Sequence, residues 1–164
     1  MAAADLNSIK ASIETHIRAG FGANIEAQNQ DLLVNQSGLA FVTESPYSAF
    51  TPISFQNAFF EPPNISTWLQ CEVSFAASDY LTLGGSTEAD NDLRGTVIIN
   101  IFSPKGVGVE SNYELADKAY NLFNRRKFDG IHFGSSNGPQ VVTPNPEAYF
   151  QSRILTEFSF IEHL

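Results

Sequence analysis

Apolar residues recur at spacings of three and four near the amino terminus of the chain, which places them on one side of an α-helix. These residues are Leu6, Ile9, Ile13 and Ile17. Asp5 and Ser8 are the two candidates for the N-cap, and Gly20 and Gly22 predict the end of the helix. The pattern predicts a short amphipathic helix that packs its apolar side on a sheet.

Two later segments alternate between apolar and polar or mixed positions, as β-strands do. The first runs from Thr67 to Phe75 and places Cys71 among apolar residues, which favours an inert buried thiol over a nucleophile. The second runs from Thr96 to Phe102 and has apolar residues on both sides. Burial on both faces predicts a central strand, and Pro104 is expected to end it.

A second helix is predicted to start near Glu110 or Ser111. Its apolar face consists of Tyr113, Ala116, Ala119, Tyr120 and Phe123. The basic run at 125–127 follows, where cations suit the negative end of the helix dipole. This run is interpreted as a solvated cap or, alternatively, as a site for an acidic partner surface.

The last third of the chain reads as strands at 128–133, 140–143 and 149–160, separated by GSSNG and by PNP. The order of helix, strands, helix and strands predicts an α+β fold, with two helices packed on one face of a mainly antiparallel or mixed sheet. With 164 residues, the chain suits one domain over 1–164. The weakly patterned stretch from Glu26 to about Ser54 contains an expected excursion at about 28–50, as a hairpin or as a mobile surface loop.

Charge and composition narrow the classes of function. Acidic residues outnumber basic ones by 18 to 9, which disfavours sequence-specific binding to nucleic acid. Charged residues make up only 16% of the chain, and the fourteen phenylalanines must be buried somewhere, so much of the surface suits burial in an assembly. A single cysteine excludes an internal disulfide, and the absence of a long apolar run leads us to expect a protein made in the cytoplasm without a membrane segment.

No motif of the chain predicts catalysis, a metal site or a cofactor. Glu88, Asp90 and Asp92 have the spacing of a calcium loop but lack its glycine and its distant glutamate, so the segment from Tyr80 to Gly95 is interpreted as a solvated acidic loop. In PKGVGVES, Lys105 precedes both glycines, whereas a phosphate loop needs its lysine after them. The three histidines share no motif. We expect a protein that is not an enzyme, with no cofactor.

Four segments together carry a resemblance to a known family. They are ISFQNAFFEPP at 53–63, YLTLGG at 80–85, RGTVIINIFSPKGVG at 94–108 and ELADKAYNLF at 114–123. In this order they resemble the tail terminator proteins of long-tailed bacteriophages. The resemblance covers most of the chain, and the 28–50 stretch looks longer than the family's short connection.

The resemblance implies a structural virion protein at the junction of tail and neck. Its subunits would form a ring, typically a hexamer, that caps the tail tube, stops polymerisation and docks the head–tail connector. The implied partners are further copies of the chain, the tube protein, a neck protein and, in a contractile tail, the sheath. Another neck component is the nearest alternative, and a small cytoplasmic enzyme or ligand-binding domain is the alternative from a different class.

Contacts with these partners are expected in loops, because turns presented by a rigid sheet are where binding concentrates. The loops are 84–94, 105–110 and the excursion at 36–54. The candidate contact residues are Tyr47, Phe50, Gly84, Gly85, Glu88, Asp90, Asp92, Arg94, Lys105, Val107 and Glu110.

Overall fold

The structure is a computed structural model that describes residues 5–21, 51–63, 66–81, 90–106, 108–143 and 148–163. These residues form two helices and six strands, which confirms the predicted α+β class. In chain order they are α1 (Leu6–Gly20), β1 (Ile53–Phe55), β2 (Trp68–Tyr80), β3 (Asp90–Pro104), α2 (Glu110–Phe123), β4 (Lys127–Phe128), β5 (Ile131–Val141) and β6 (Tyr149–His163). Neither helix is long and apolar enough to cross a membrane.

All six strands belong to one mixed sheet with the order β1-β2-β3-β6-β5-β4. The β1–β2 pair is parallel and the other pairs are antiparallel. Strand β3 lies between β2 and β6 and pairs with β6 along its whole length, from Asp90 opposite His163 to Pro104 opposite Tyr149. The predictions that this strand is central and that it ends at Pro104 are both confirmed.

Helix α1 begins as the sequence predicts. The Asp5 side chain caps it by accepting a hydrogen bond from the Ser8 backbone nitrogen at 2.7 Å, so Asp5 is the N-cap. Ile9, Ile13 and Ile17 are buried, whereas Leu6 at the first turn is 49% exposed and does not belong to the core. The helix therefore contacts the core over its second to fourth turns.

The core lies between the two helices and one face of the sheet. Ile9, Ile13 and Ile17 of α1 join a single apolar cluster with Ala116, Ala119 and Phe123 of α2. The cluster also includes alternate residues of β2, β3, β5 and β6, which are Leu69, Cys71, Val73, Val97, Ile99, Ile101, Ile131, Phe133, Ile154 and Phe158. Both helices thus pack on the same face, as expected.

The predicted acidic loop from Tyr80 to Gly95 is wrong at both ends. Strand β2 continues to Tyr80 and β3 begins at Asp90, with Asp79 opposite Asp92 in the ladder. Polar composition misled the prediction, because pairing with β6 along Asp90–Gly95 stabilises an extended conformation that the local residues do not favour on their own. The excursion expected at about 28–50 lies outside the described residues, and Ile53 and Ser54, at the end of the weakly patterned stretch, belong to β1.

The sequence predicts two separate strands at 128–133 and 140–143. In the structure, β4 and β5 form a hairpin within the first range, and β5 continues without interruption to Val141. Asp129 and Gly130 have positive φ angles of 49° and 78° and form the two-residue turn between β4 and β5. GSSNG does not separate strands but lies within β5. Two register shifts, between Phe133 and Ser136 and between Asn137 and Gln140, accommodate these turn-like residues inside the ladder.

Candidate interaction surfaces

The sheet face that points away from the helices is here called the open face. It carries the residues of β2, β3 and β6 that alternate with the core positions. Neither α1 nor α2 covers this face. Three regions follow one another along it: an aromatic cluster near the end of β3, a polar network in the middle, and a charged cavity near the start of β3.

The aromatic cluster brings together rings from β2, β3 and β6. Trp68 stacks on Phe102 with ring centroids 4.2 Å apart, and Tyr149 meets both rings edge-on. The Tyr149 hydroxyl donates to the Pro63 carbonyl at 3.3 Å. Among the described residues, none accepts a hydrogen bond from the indole nitrogen of Trp68, although the side chain is only 8% exposed. A buried donor without an acceptor is costly.

The polar network is centred on Asn100, which is 3% exposed. Its amide donates to Gln70 at 3.3 Å, and its carbonyl oxygen accepts from Gln151 at 3.1 Å and from Arg153 at 2.9 Å. These bonds join β2, β3 and β6 across the open face. Because the amide oxygen and nitrogen are both satisfied, the network explains how a buried polar row is tolerated in the middle of a sheet.

The charged cavity has a volume of about 500 Å³. Its charged or titratable lining residues are Asp92, Arg94, His132 and Glu157. Arg94 donates through Nε to the Asp92 carboxylate at 2.7 Å, and this hydrogen bond, together with the Asp92 charge, raises the pKa of the Arg94 guanidinium above its ordinary value. Within the described residues, no group of three His, Cys, Asp or Glu side chains is placed to hold a metal ion.

The predicted contact residues that the structure describes fall into two groups. Asp90, Asp92 and Arg94 lie at the start of β3, within the strand and not in a loop. Asp92 is buried at 7% exposure, while Arg94 is exposed. Lys105 and Glu110 are exposed beyond the other end of β3. A 15-residue strand spans about 45 Å, so the two groups lie at opposite ends of the molecule.

The other predicted contact residues lie outside the described part of the chain. They are Tyr47, Phe50, Gly84, Gly85, Glu88 and Val107. Conversely, no sequence pattern predicts that His132 and Glu157 lie near Arg94. Only the pairing of β5 with β6, and of β6 with β3, brings these three side chains to one cavity.

Cys71 and His16 have structural surroundings. Cys71 is 2% exposed, and burial, with smaller effects from the charges of Glu14 and Glu72, raises the pKa of its thiol to about 12. The expectation of an inert, buried thiol agrees with this position. The His16 ring donates to the Leu122 carbonyl at 3.1 Å and stacks on Phe128 at 4.0 Å, which ties α1 to α2 and β4.

Comparison with known families identifies the chain. A family model described as phage tail terminator protein matches residues 17–128, which is more than half of the sequence. The chain belongs to the phage tail terminator family. The match includes β2, β3 and α2, the elements on which the sequence resemblance rests. As a member of the tail terminator family, the chain is a structural, virion-associated bacteriophage tail protein, and this family favours a role other than catalysis.

The fold also occurs in a solved protein structure. That structure has a TM-score of 0.51 and 19% sequence identity to this tail terminator family member, over 92% of this chain and 96% of that one. At this identity the similarity shows that the two proteins share a fold, and it carries no information about activity. Comparison with curated proteins gives no significant match.

Proposed function

We propose that this tail terminator family member is the subunit of a closed ring that caps the end of the tail tube, stops its polymerisation and docks the head–tail connector. Family membership is the observation that carries the proposal. Subunits related by rotation use head-to-tail contacts, which generate a closed ring when the rotation closes. A six-fold ring is expected, located at the junction of tail and neck.

The position of the exposed charged residues supports two separate docking surfaces. Arg94 lies near one end of the strand β3, and Lys105 and Glu110 lie beyond the other end; the 11 residues from Arg94 to Lys105 span about 36 Å when extended. A terminator must contact the tube on one side and the neck on the other. A rigid strand that carries contact residues at both ends provides that separation without a second domain.

The aromatic cluster adds a feature to the Lys105 end. Trp68 lies in the same region of the sheet as Pro104, because Trp68 is opposite Phe102 in the ladder. The net charge of −9 further supports a ring lumen that DNA passes without adhering, because like charges repel.

The test is the mass of the purified chain by light scattering, alone and with tail tube protein, combined with negative-stain images of tube ends. Rings, or monomers that assemble into rings on tube ends and stop tube growth, are the expected result. If the chain stays monomeric, does not bind tubes and binds connector rings, the proposal is wrong and another role in the neck takes its place. A chain that binds neither would overturn it.

A matched pair of substitutions tests whether the end of the molecule beyond Pro104 is a docking surface. Glu110→Lys changes the charge at the end of the molecule, and Glu114→Lys makes the same change one turn further along α2, where the side chain is also exposed. We expect Glu110→Lys to weaken binding to either the tube or the connector while Glu114→Lys leaves both intact. If the Glu110→Lys variant binds both the tube and the connector as the parent does, Glu110 is not part of a docking surface.

A further inference from the structure

Opposite edges of the sheet carry opposite charge. Strand β2 contains Glu72 and Asp79 and no basic residue, and the neighbouring strand begins with Asp90 and Asp92, of whose charges Arg94 offsets one. At the other edge, Arg125 and Arg126 lead into Lys127 of the short strand β4. Asp129 in the following turn reduces the excess of that basic run to two positive charges. We call residues 76–81 with Asp90 the acidic edge, and residues 125–128 the basic edge.

The two edges lie at the same level of the sheet. Ser78 is opposite Leu93, Leu93 is opposite Phe160, Phe160 is opposite Ile131, and Ile131 is opposite Phe128. This row crosses five strands, so its two ends are about 19 Å apart along the sheet. Asp79 and Lys127 are the chain neighbours of the residues at the two ends. The charges of one chain are therefore too far apart to form an ion pair with each other.

Within the described chain, β1 pairs with β2 only at Leu69–Cys71, and no strand pairs with the outer side of β4. The side chains from Ala76 to Leu81 are exposed, including Tyr80 at 70% and Leu81 at 51%. An uncovered edge with apolar residues is a place where another chain can add on.

The basic residues have no anionic partner in the described part of the chain. Arg125, Arg126 and Lys127 are exposed and form no salt bridge there, and Arg126 only donates to the Asn121 carbonyl at 3.3 Å. Arg125 has a positive φ of 53° in the short turn between α2 and β4. A hydrogen bond from the Arg125 backbone N–H to the Gly134 carbonyl holds this turn. The cations are therefore presented on a fixed turn.

We propose that the acidic edge of one subunit docks against the basic edge of a second copy of this chain. The contact joins two different surfaces at opposite sides of one sheet, so it is head-to-tail, and repetition around an axis closes a ring. Charge complementarity selects the second copy as the occupant. The inference rests on the proposed ring and adds which surfaces form it.

Charge reversal at each edge tests the contact. Asp79→Lys with Asp90→Lys makes both edges positive, and Arg125→Glu with Lys127→Glu makes both edges negative. We expect each double variant to raise the concentration needed for half-assembly at least about tenfold, as measured by sedimentation velocity. A 1:1 mixture of the two, or a single chain with all four changes, is expected to assemble like the parent because complementarity is regained.

The control carries the same number of reversals elsewhere. Glu114→Lys with Asp117→Lys changes two exposed residues of α2 and should leave assembly unchanged. If the parent forms rings and the edge variants assemble as well as this control, the edge contact is wrong while the ring stands. If the parent forms no ring, alone or on tube ends, the proposed function itself fails.

Crosslinking gives a second readout that separates head-to-tail contacts from symmetric ones. The native Cys71 is buried, so thiol reagents report on introduced cysteines. Asp79→Cys combined with Lys127→Cys is expected to give a ladder of covalent oligomers up to the ring size with a short bis-maleimide. Each single variant is expected to remain monomeric on a denaturing gel. Covalent dimers from a single variant would instead indicate a symmetric contact and overturn the proposal.

Discussion

At the scale of single residues, Asn112 is a buried polar group that joins α2 to β3 and β6. It is 0% exposed, and its amide donates to the Ile101 carbonyl at 3.1 Å and to the Ser103 hydroxyl at 2.9 Å. Its carbonyl oxygen accepts from the Ser152 hydroxyl. We expect Asn112→Ala to lower the free energy of unfolding by about 2–4 kcal/mol, because it leaves buried hydroxyls unpaired and opens a cavity.

Urea unfolding at a concentration where the protein is monomeric measures this change. Asn121→Ala is the matched control on the same helix, since Asn121 is exposed and its side chain donates to the Asp117 carbonyl. Its effect should stay within about 0.5 kcal/mol. Equal losses for the two variants would mean that the buried bonds of Asn112 contribute nothing specific.

At the scale of elements, the close approach of β2, β3 and β6 depends on Gly95. It is opposite Phe75 on one side and Phe158 on the other, and those two rings meet edge-on with centroids 6.0 Å apart. An added Cβ would lie 2.5 Å from the Ser74 carbonyl oxygen and closer still to the Phe158 ring. We expect Gly95→Ala to destabilise the fold by about 1–3 kcal/mol through overpacking in the central strand.

Gly134→Ala is the matched control for this prediction. Gly134 also lies in a strand, but its added Cβ would meet nothing closer than the Glu157 carbonyl at 3.6 Å, which is an ordinary contact. Thermal unfolding of the two variants should therefore differ, with the midpoint of Gly95→Ala well below that of Gly134→Ala. Similar midpoints would show that Phe158 moves aside at little cost.

The elements also show how far the sequence determines the prediction. Helix α1 was predicted correctly because its isoleucines follow the helical period, and β3 because it is apolar on both sides. The extensions of β2 to Tyr80 and of β3 back to Asp90 were not predicted, because their polar residues become strands only through pairing with each other and with β6. β5 was missed because its two bulges contain the Ser, Asn and Gly residues of a turn.

The candidate surfaces were predictable to a smaller extent. Among the charged residues of the two edges, the sequence pattern indicates Asp90, in an acidic segment, and the basic run after α2, but it does not indicate Asp79. Their placement on opposite edges at one level is not predictable from the sequence, because it depends on β6 and β5 inserting between β3 and β4. Asn112 was likewise missed, since a polar residue in the first turn of a helix ordinarily faces solvent.

At the scale of the whole molecule, two electrostatic effects oppose each other during ring assembly. Each chain carries a net charge of −9, so copies repel one another as whole bodies. The acidic and basic edges attract at contact. The repulsion between whole chains acts over tens of ångströms. Salt screens it once the Debye length falls from about 30 Å at 0.01 M to about 10 Å at 0.1 M. The attraction between the edges acts at contact and persists until about 1 M salt, where the Debye length is about 3 Å.

Assembly should therefore pass through a maximum as salt increases, with weaker ring formation at 0.01 M and again at 1 M than at about 0.1–0.2 M. A sodium chloride series followed by light scattering measures this dependence. The chain with all four edge reversals should show the same maximum, because its net charge and its complementarity are both unchanged. A steady rise in assembly with salt would mean that apolar contacts alone hold the ring, since screening would then only remove repulsion.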